Sequence, residues 1–158
     1  MNVSWPLRIY YDASCPLCRE EMQAIVASDR EGRIELHDAS GPDGVDAQAR
    51  AAGLDRSALM RLIHARDAEG RWHVGVDVFV IAYGAVGLTG MSRFWAHPRL
   101  RPLWDRLYPW IARARQPLSW LRLNRIYGAW VRRAARRAQQ RAQACADGHC
   151  PLPAGKGH

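Results

Sequence analysis

Two cysteines separated by two residues, in Asp12-Ala13-Ser14-Cys15-Pro16-Leu17-Cys18, are the side chains in this 158-residue sequence whose types and spacing most directly specify chemistry. Such a pair can close a small disulfide ring when the first cysteine caps a helix and the second lies one turn in. The two sulfurs then have different tasks. Backbone N–H groups and the positive end of the helix dipole stabilise a thiolate at Cys15, and the thiolate is the attacking species in thiol-disulfide exchange. Cys18 shares a helical face with Met22, Ile25 and Val26, so it is expected to face inward and to resolve a mixed disulfide, with Cys15 exposed at the tip. Pro16 suits the first helical position and removes one N–H donor beside the pair. Asp12, three residues before Cys15, can exchange a proton with Cys18 through water, oppose the Cys15 thiolate by like-charge repulsion, or bond the turn backbone. Cys15 and Cys18 are therefore the catalytic candidates, with Asp12 and Pro16 as accessories. The same spacing also suits half of a metal site or a pair of inert thiols.

The redox alternative requires a strand in front of the pair and an amphipathic helix behind it, and the sequence offers both. Leu7-Arg8-Ile9-Tyr10-Tyr11 is short, aromatic and β-branched and stops at Asp12, while the apolar positions from Cys18 to Val26 recur with helical period. Arg33-Ile34-Glu35-Leu36-His37 alternates as a second strand, and Gly41-Pro42-Asp43-Gly44 turns the chain into a short helix over 45–52. Residues 59–65 and Trp72-His73-Val74, joined across Asp67-Ala68-Glu69-Gly70, read as a hairpin, after which Asp77 is placed to cap a helix over 78–86. The expected order is β-α-β-α-β-β-α. Beyond Gly90 the composition turns to Trp, Leu, Pro and Arg. Leu100, Leu103, Trp104, Leu107 and Ile111 mark the inner face of a helix that Pro109 should kink or end, and Leu123, Ile126, Tyr127, Trp130 and Val131 mark another. The expected division is a core over 1–97, a helical Trp/Leu/Arg extension packed on it over 98–131, and a basic helix with a cysteine-containing tail over 132–158.

Charge follows that division. The formal net charge of +8 is split between −3 for residues 1–98, with 10 Arg against 13 Asp and Glu, and +11 for residues 99–158, with 12 Arg and Lys156 against Asp105 and Asp147. The Arg face, including Arg132, Arg133, Arg136, Arg137 and Arg141, is expected to be solvated and to bind an anionic surface weakly; nucleic acid is not an expected partner. Met1 to Pro6 lacks the basic and apolar regions of a secretory signal. The longest uncharged stretch, 78–92, contains three glycines and is too short to span a bilayer. A reducing cytoplasm is therefore the expected location, where closely spaced cysteines serve catalysis or metal binding.

Asp12, Cys15 and Cys18 together resemble the aspartate-cysteine-cysteine signature of the DCC family of thiol-disulfide oxidoreductase-like proteins. Gly53-Leu54-Asp55, Ile63-His64-Ala65, Gly70-Arg71, Gly75-Val76-Asp77 and Tyr108-Pro109-Trp110-Ile111-Ala112-Arg113 extend the likeness over about residues 7–115. The resemblance implies a thioredoxin-like fold, an α/β mixed sheet flanked by helices, and disulfide exchange. Cys15-Pro16-Leu17-Cys18 is also similar to a glutaredoxin active site. One departure is visible: thioredoxins and glutaredoxins place a cis-proline opposite the dithiol, before the third strand, and this chain has no proline between Pro42 and Pro98. The groove that docks substrate by backbone contacts must differ, and metal ligation at the dithiol is less hindered.

The expectation is thus a thiol-disulfide oxidoreductase of the protein-disulfide reductase type, with a disulfide-containing protein or small thiol as substrate and another thiol system as electron donor. No separate cofactor is expected, since the dithiol itself carries the electrons and no G-x-G-x-x-G follows a predicted strand. A metal-binding module using the same cysteines, or a redox-inert interaction protein with a basic surface, are the rival readings. Cys145 and Cys150, flanking His149, are expected to be reduced and dispensable, with a labile disulfide or a zinc site as alternatives. His37, His64 and His73 are taken as packing or surface residues.

Overall fold

β1 (Leu7–Tyr11) sets the plan of the molecule because its alternation sends Leu7 and Ile9 to one face of the sheet and Tyr10 to the other, all three fully buried. In the computed structural model, which describes residues 3–120 together with Ala129, Arg133 and Arg136 (for 115–120, the backbone alone), β1 is flanked on both sides. It pairs in parallel with β2 (Ile34–Asp38), and antiparallel with β3 (His64–Arg66), which in turn pairs antiparallel with β4 (Trp72–Val74). The order β2-β1-β3-β4 is a mixed sheet built from a βαβ unit followed by a ββα unit, the arrangement of a thioredoxin-like fold.

Leu7 and Ile9 meet Met22 and Ile25 of α1 (Pro16–Ser28) and Val78, Phe79 and Ala82 of α4 (Val76–Ala85) in the main core. On the opposite face Tyr10 packs with Ala49 of α2 (Ala47–Ala51) and Leu59 of α3 (Arg56–Arg61). α5 (Thr89–Ala96) lies against α4, and α6 (Arg101–Trp120) packs against α1, α3, α4 and α5. Gly44 marks the close approach of the β2–α2 turn, where a Cβ would stand 2.3 Å from the Ala39 carbonyl oxygen.

Several expected boundaries move. Residues 59–61, expected to begin a strand running to 65, instead end α3, and the strand is confined to His64–Arg66: Asp55 caps α3 by accepting the Ala58 N–H at 2.7 Å, a signal that the short apolar run obscured. Gly75, with φ 65°, precedes α4, so Asp77 falls inside its first turn and instead meets Arg101 at 2.8 Å. α5 has no counterpart among the expected elements. Pro109 does not end α6, which continues to Trp120; one missing N–H is outweighed by the packing of the turn around it, Trp104 and Tyr108 before and Ala112 after. No helix among the described residues is long and apolar enough to cross a membrane. The Arg face at 132, 137 and 141, the second apolar stripe at 123–131 and the tail lie outside the described residues, whereas Arg133 and Arg136 are helical and exposed.

Candidate active site

The site is built at the corner where β1 gives way to α1. Asp12 ends the strand and folds the turn onto itself: its Oδ1 accepts the Ser14 N–H at 3.0 Å and the Ser14 hydroxyl at 2.5 Å, and its carbonyl accepts the Cys15 N–H at 3.3 Å. Cys15 is the N-cap of α1 in an extended conformation, and Pro16 occupies the first helical position. The Cys15 sulfur turns back over the helix end to accept the Cys18 N–H at 3.4 Å, while the Cys18 thiol donates to it at 2.9 Å. A shift of about 1 Å would bring the two sulfurs to bonding distance.

The expected exposures are reversed. Cys15 is 0% exposed and Cys18 is half-buried, facing a crevice. The reason is the cap itself: a side chain folded onto its own helix terminus is withdrawn from the surface. The buried stripe of α1 is also rotated from the expected one. Met22 and Ile25 are buried, but Val26 is 38% exposed, which leaves Cys18 at the stripe's edge.

The crevice, of about 70 Å³, is walled by Asp12, Cys18, Glu21, Ile63, Phe79 and Tyr108 among others. Asp12 and Cys18 were legible as a pair. Glu21 was not, although its place three residues after Cys18 puts it on the same helical face. Fully buried Tyr83 of α4 fixes it, donating its hydroxyl to Glu21 Oε1 at 2.7 Å. Two carboxylates therefore share the crevice with one thiol of the pair, so groups able to take or return a proton stand where exchange would need them.

Of the histidines, His64 is buried in β3 with Nδ1 2.9 Å from the Leu62 carbonyl, and burial pushes its pKa down. His37 Nε2 lies 3.2 Å from the Gly44 carbonyl, and His73 lies 3.7 Å from Asp67. Among the described residues no three His, Cys, Asp or Glu side chains gather as metal ligands. Cys145, His149 and Cys150 lie outside those residues.

A chloroplastic protein of Arabidopsis thaliana, itself uncharacterized, is 33% identical to this chain over 86 residues, which cover 54% of this chain and 39% of that protein. The chain thus spans well under half the length of the curated relative it matches. No solved structure matches it significantly. The model of one family, described as DCC1-like thiol-disulfide oxidoreductase, matches residues 9–121, from the middle of β1 through the dithiol corner, the sheet and α6. A match over most of the chain that includes the whole corner places it plainly: this protein belongs to the DCC1-like thiol-disulfide oxidoreductase family.

Proposed function

We propose that the protein is a disulfide reductase that works by dithiol-disulfide exchange at Cys15-Pro16-Leu17-Cys18. The observation that carries this reading is the sulfur pair itself, 2.9 Å apart at a helix N-terminus with the Cys15 sulfur accepting both the N–H and the thiol of Cys18. Those two donors favour the thiolate at Cys15 over the thiol. In the forward reaction the Cys15 thiolate attacks one sulfur of a substrate disulfide, forming a mixed disulfide and expelling the other sulfur as a thiolate that takes up a proton. Cys18 then gives up its proton, with Asp12 or Glu21 as acceptor, and attacks the Cys15 sulfur. The second substrate thiol leaves, and the protein ends as the Cys15–Cys18 disulfide. A dithiol, or two thiols, of another redox system returns two electrons and two protons, itself ending as a disulfide, and closes the cycle. A reducing compartment such as the cytoplasm suits a pair that must be regenerated in this way.

The position of Cys18 on the crevice favours a second assignment of roles, in which Cys18 attacks and Cys15 resolves. Incubating Cys18→Ser and Cys15→Ser separately with a disulfide substrate and weighing the products decides between them. An adduct on Cys18→Ser alone supports attack by Cys15; an adduct on Cys15→Ser alone exchanges the roles. No adduct on either variant overturns exchange in favour of a metal-binding module or a redox-inert interaction protein with a basic surface.

A further inference from the structure

The two faces of α6 meet different surroundings. Trp104, Tyr108 and Ala112 turn toward the domain, whereas Leu103, Leu107 and Trp110, at i, i+4 and i+7, form one outward stripe and are 47%, 40% and 69% exposed. Trp110 is the most exposed large apolar side chain among the described residues. Single apolar residues on a surface are ordinary, but three in register along one helix face make a surface that a partner can cover.

Charge around the stripe selects the partner. Arg106 and Arg113, at i and i+7, run along one edge of it, and Arg93 and Arg99 are exposed just before the helix. None of these four arginines is in an ion pair among the described residues. The Arg113 guanidinium instead lies 5.9 Å from the centroid of the Trp110 ring. Asp105, the one acidic residue of α6, is already held by Arg101 at 2.9 Å. Residues 99–158 as a whole carry +11.

A convex apolar stripe edged by arginine and tryptophan matches a bilayer surface. The apolar side chains enter the acyl boundary, while guanidinium groups and the indole stay at headgroup level. A nucleic acid would match the charge but offers nothing to Leu103 and Leu107. A second copy laid antiparallel on the stripe would set Arg106 and Arg113 against the same arginines. No helix among the described residues can cross a bilayer, so α6 would lie in its plane.

We propose that the outer face of α6, with Leu103, Leu107 and Trp110 as its apolar stripe and Arg106 and Arg113 along its edge, docks the protein on an anionic lipid surface. The proposal goes beyond the exchange reading and does not depend on it. Ile111 and Ala112, next to Trp110, line the crevice that holds Cys18, so a surface docked on α6 would lie beside the dithiol site.

The test is flotation of the full chain with vesicles of phosphatidylcholine alone and of phosphatidylcholine containing about one-third phosphatidylglycerol. The anionic vesicles should bind about tenfold more tightly or better. Leu107→Ser together with Trp110→Ser should weaken that binding about tenfold, and Arg106→Gln with Arg113→Gln should cut the preference for anionic vesicles by about threefold. In the unaltered chain, a photoactivatable phospholipid in the vesicles should label the tryptic peptide covering residues 107–113, a readout that decides the matter if a variant fails to fold. No flotation with anionic vesicles overturns the proposal and leaves the stripe to a second copy, visible as a dimer in sedimentation, or to a later segment of this chain. Flotation unaffected by Leu107→Ser with Trp110→Ser, or label confined to residues after 120, also overturns it, because the later arginines then suffice.

Discussion

α1 and α6 both carry an apolar stripe of helical period, yet they use it in opposite ways. In α1 the stripe is the buried face: Met22 and Ile25 lie in the main core and lock the dithiol corner onto the sheet. In α6 part of the stripe faces outward, with Leu103 47% and Leu107 40% exposed, while Trp104, Tyr108 and Ala112 turn inward and Ile111, 37% exposed, borders the crevice. Period is a property of the sequence, but the phase of a helix depends on the surface it meets. α1 follows directly from the buried strand β1, so few orientations are open to it. α6 follows the separate helix α5 and settles on an aromatic pile of Phe79 and Trp95, into which Trp104 and Tyr108 fit. The outer stripe of α6 is left on the surface.

The comparison is broken most severely at the dithiol. Replacing Cys15 or Cys18 by Ser should lower steady-state disulfide reduction by about 10³-fold or more, because each sulfur is needed once per cycle. Residual turnover within tenfold of wild type would detach the chemistry from the α1 corner. Next comes the packing under it: Ile25→Ala should cost about 3 kcal/mol in denaturant unfolding, the range for a fully buried aliphatic truncated to Ala. A cost below about 1 kcal/mol would show that the α1 stripe collapses around the cavity and does not set the corner rigidly.

The same contrast extends to charge. Asp67, in the β3–β4 turn, is buried and accepts the Arg71 N–H at 2.9 Å and Arg71 Nε at 2.8 Å. Burial by itself would raise its pKa, but the Arg71 bonds outweigh burial and hold the carboxyl at about 2, below the usual 3.8. A depressed carboxylate contributes stability that is complete above the unfolded value and is lost as pH falls through the folded one. Unfolding free energy should therefore drop by about 2 kcal/mol between roughly pH 5 and pH 2 on this account. Asp67→Asn should remove that increment at neutral pH, and an unchanged acid limb in the variant would refute the assignment. The smallest effects belong to the outer face of α6. Leu107→Ala and Asp105→Asn, the latter breaking the exposed pair with Arg101, should each change stability by less than about 0.5 kcal/mol. A cost near that of Ile25→Ala would mean that the outer stripe is covered in solution.

The sequence by itself determined the strand-to-helix corner, the cysteine spacing, the place of Asp12 at the strand end and of Pro16 at the first helical position, and the turn that joins β3 to β4, because each depends on residues within a few positions of one another. Even the family likeness followed from these short segments. Asp55 shows where local reading fell short within reach: an N-cap signal was present, but the apolar residues after it suited a strand as well as a helix. The tertiary structure alone decided which sulfur faces the crevice, that Tyr83 fixes Glu21 beside Cys18, and that the Tyr108 hydroxyl meets the Ile63 N–H. The Tyr83–Glu21 and Tyr108–Ile63 bonds join residues 62 and 45 positions apart, and no period or motif encodes such a meeting. Chemistry here is local and access to it is not, because a reactive pair can be written into one turn of helix, whereas the walls around it come from every element packed against that turn.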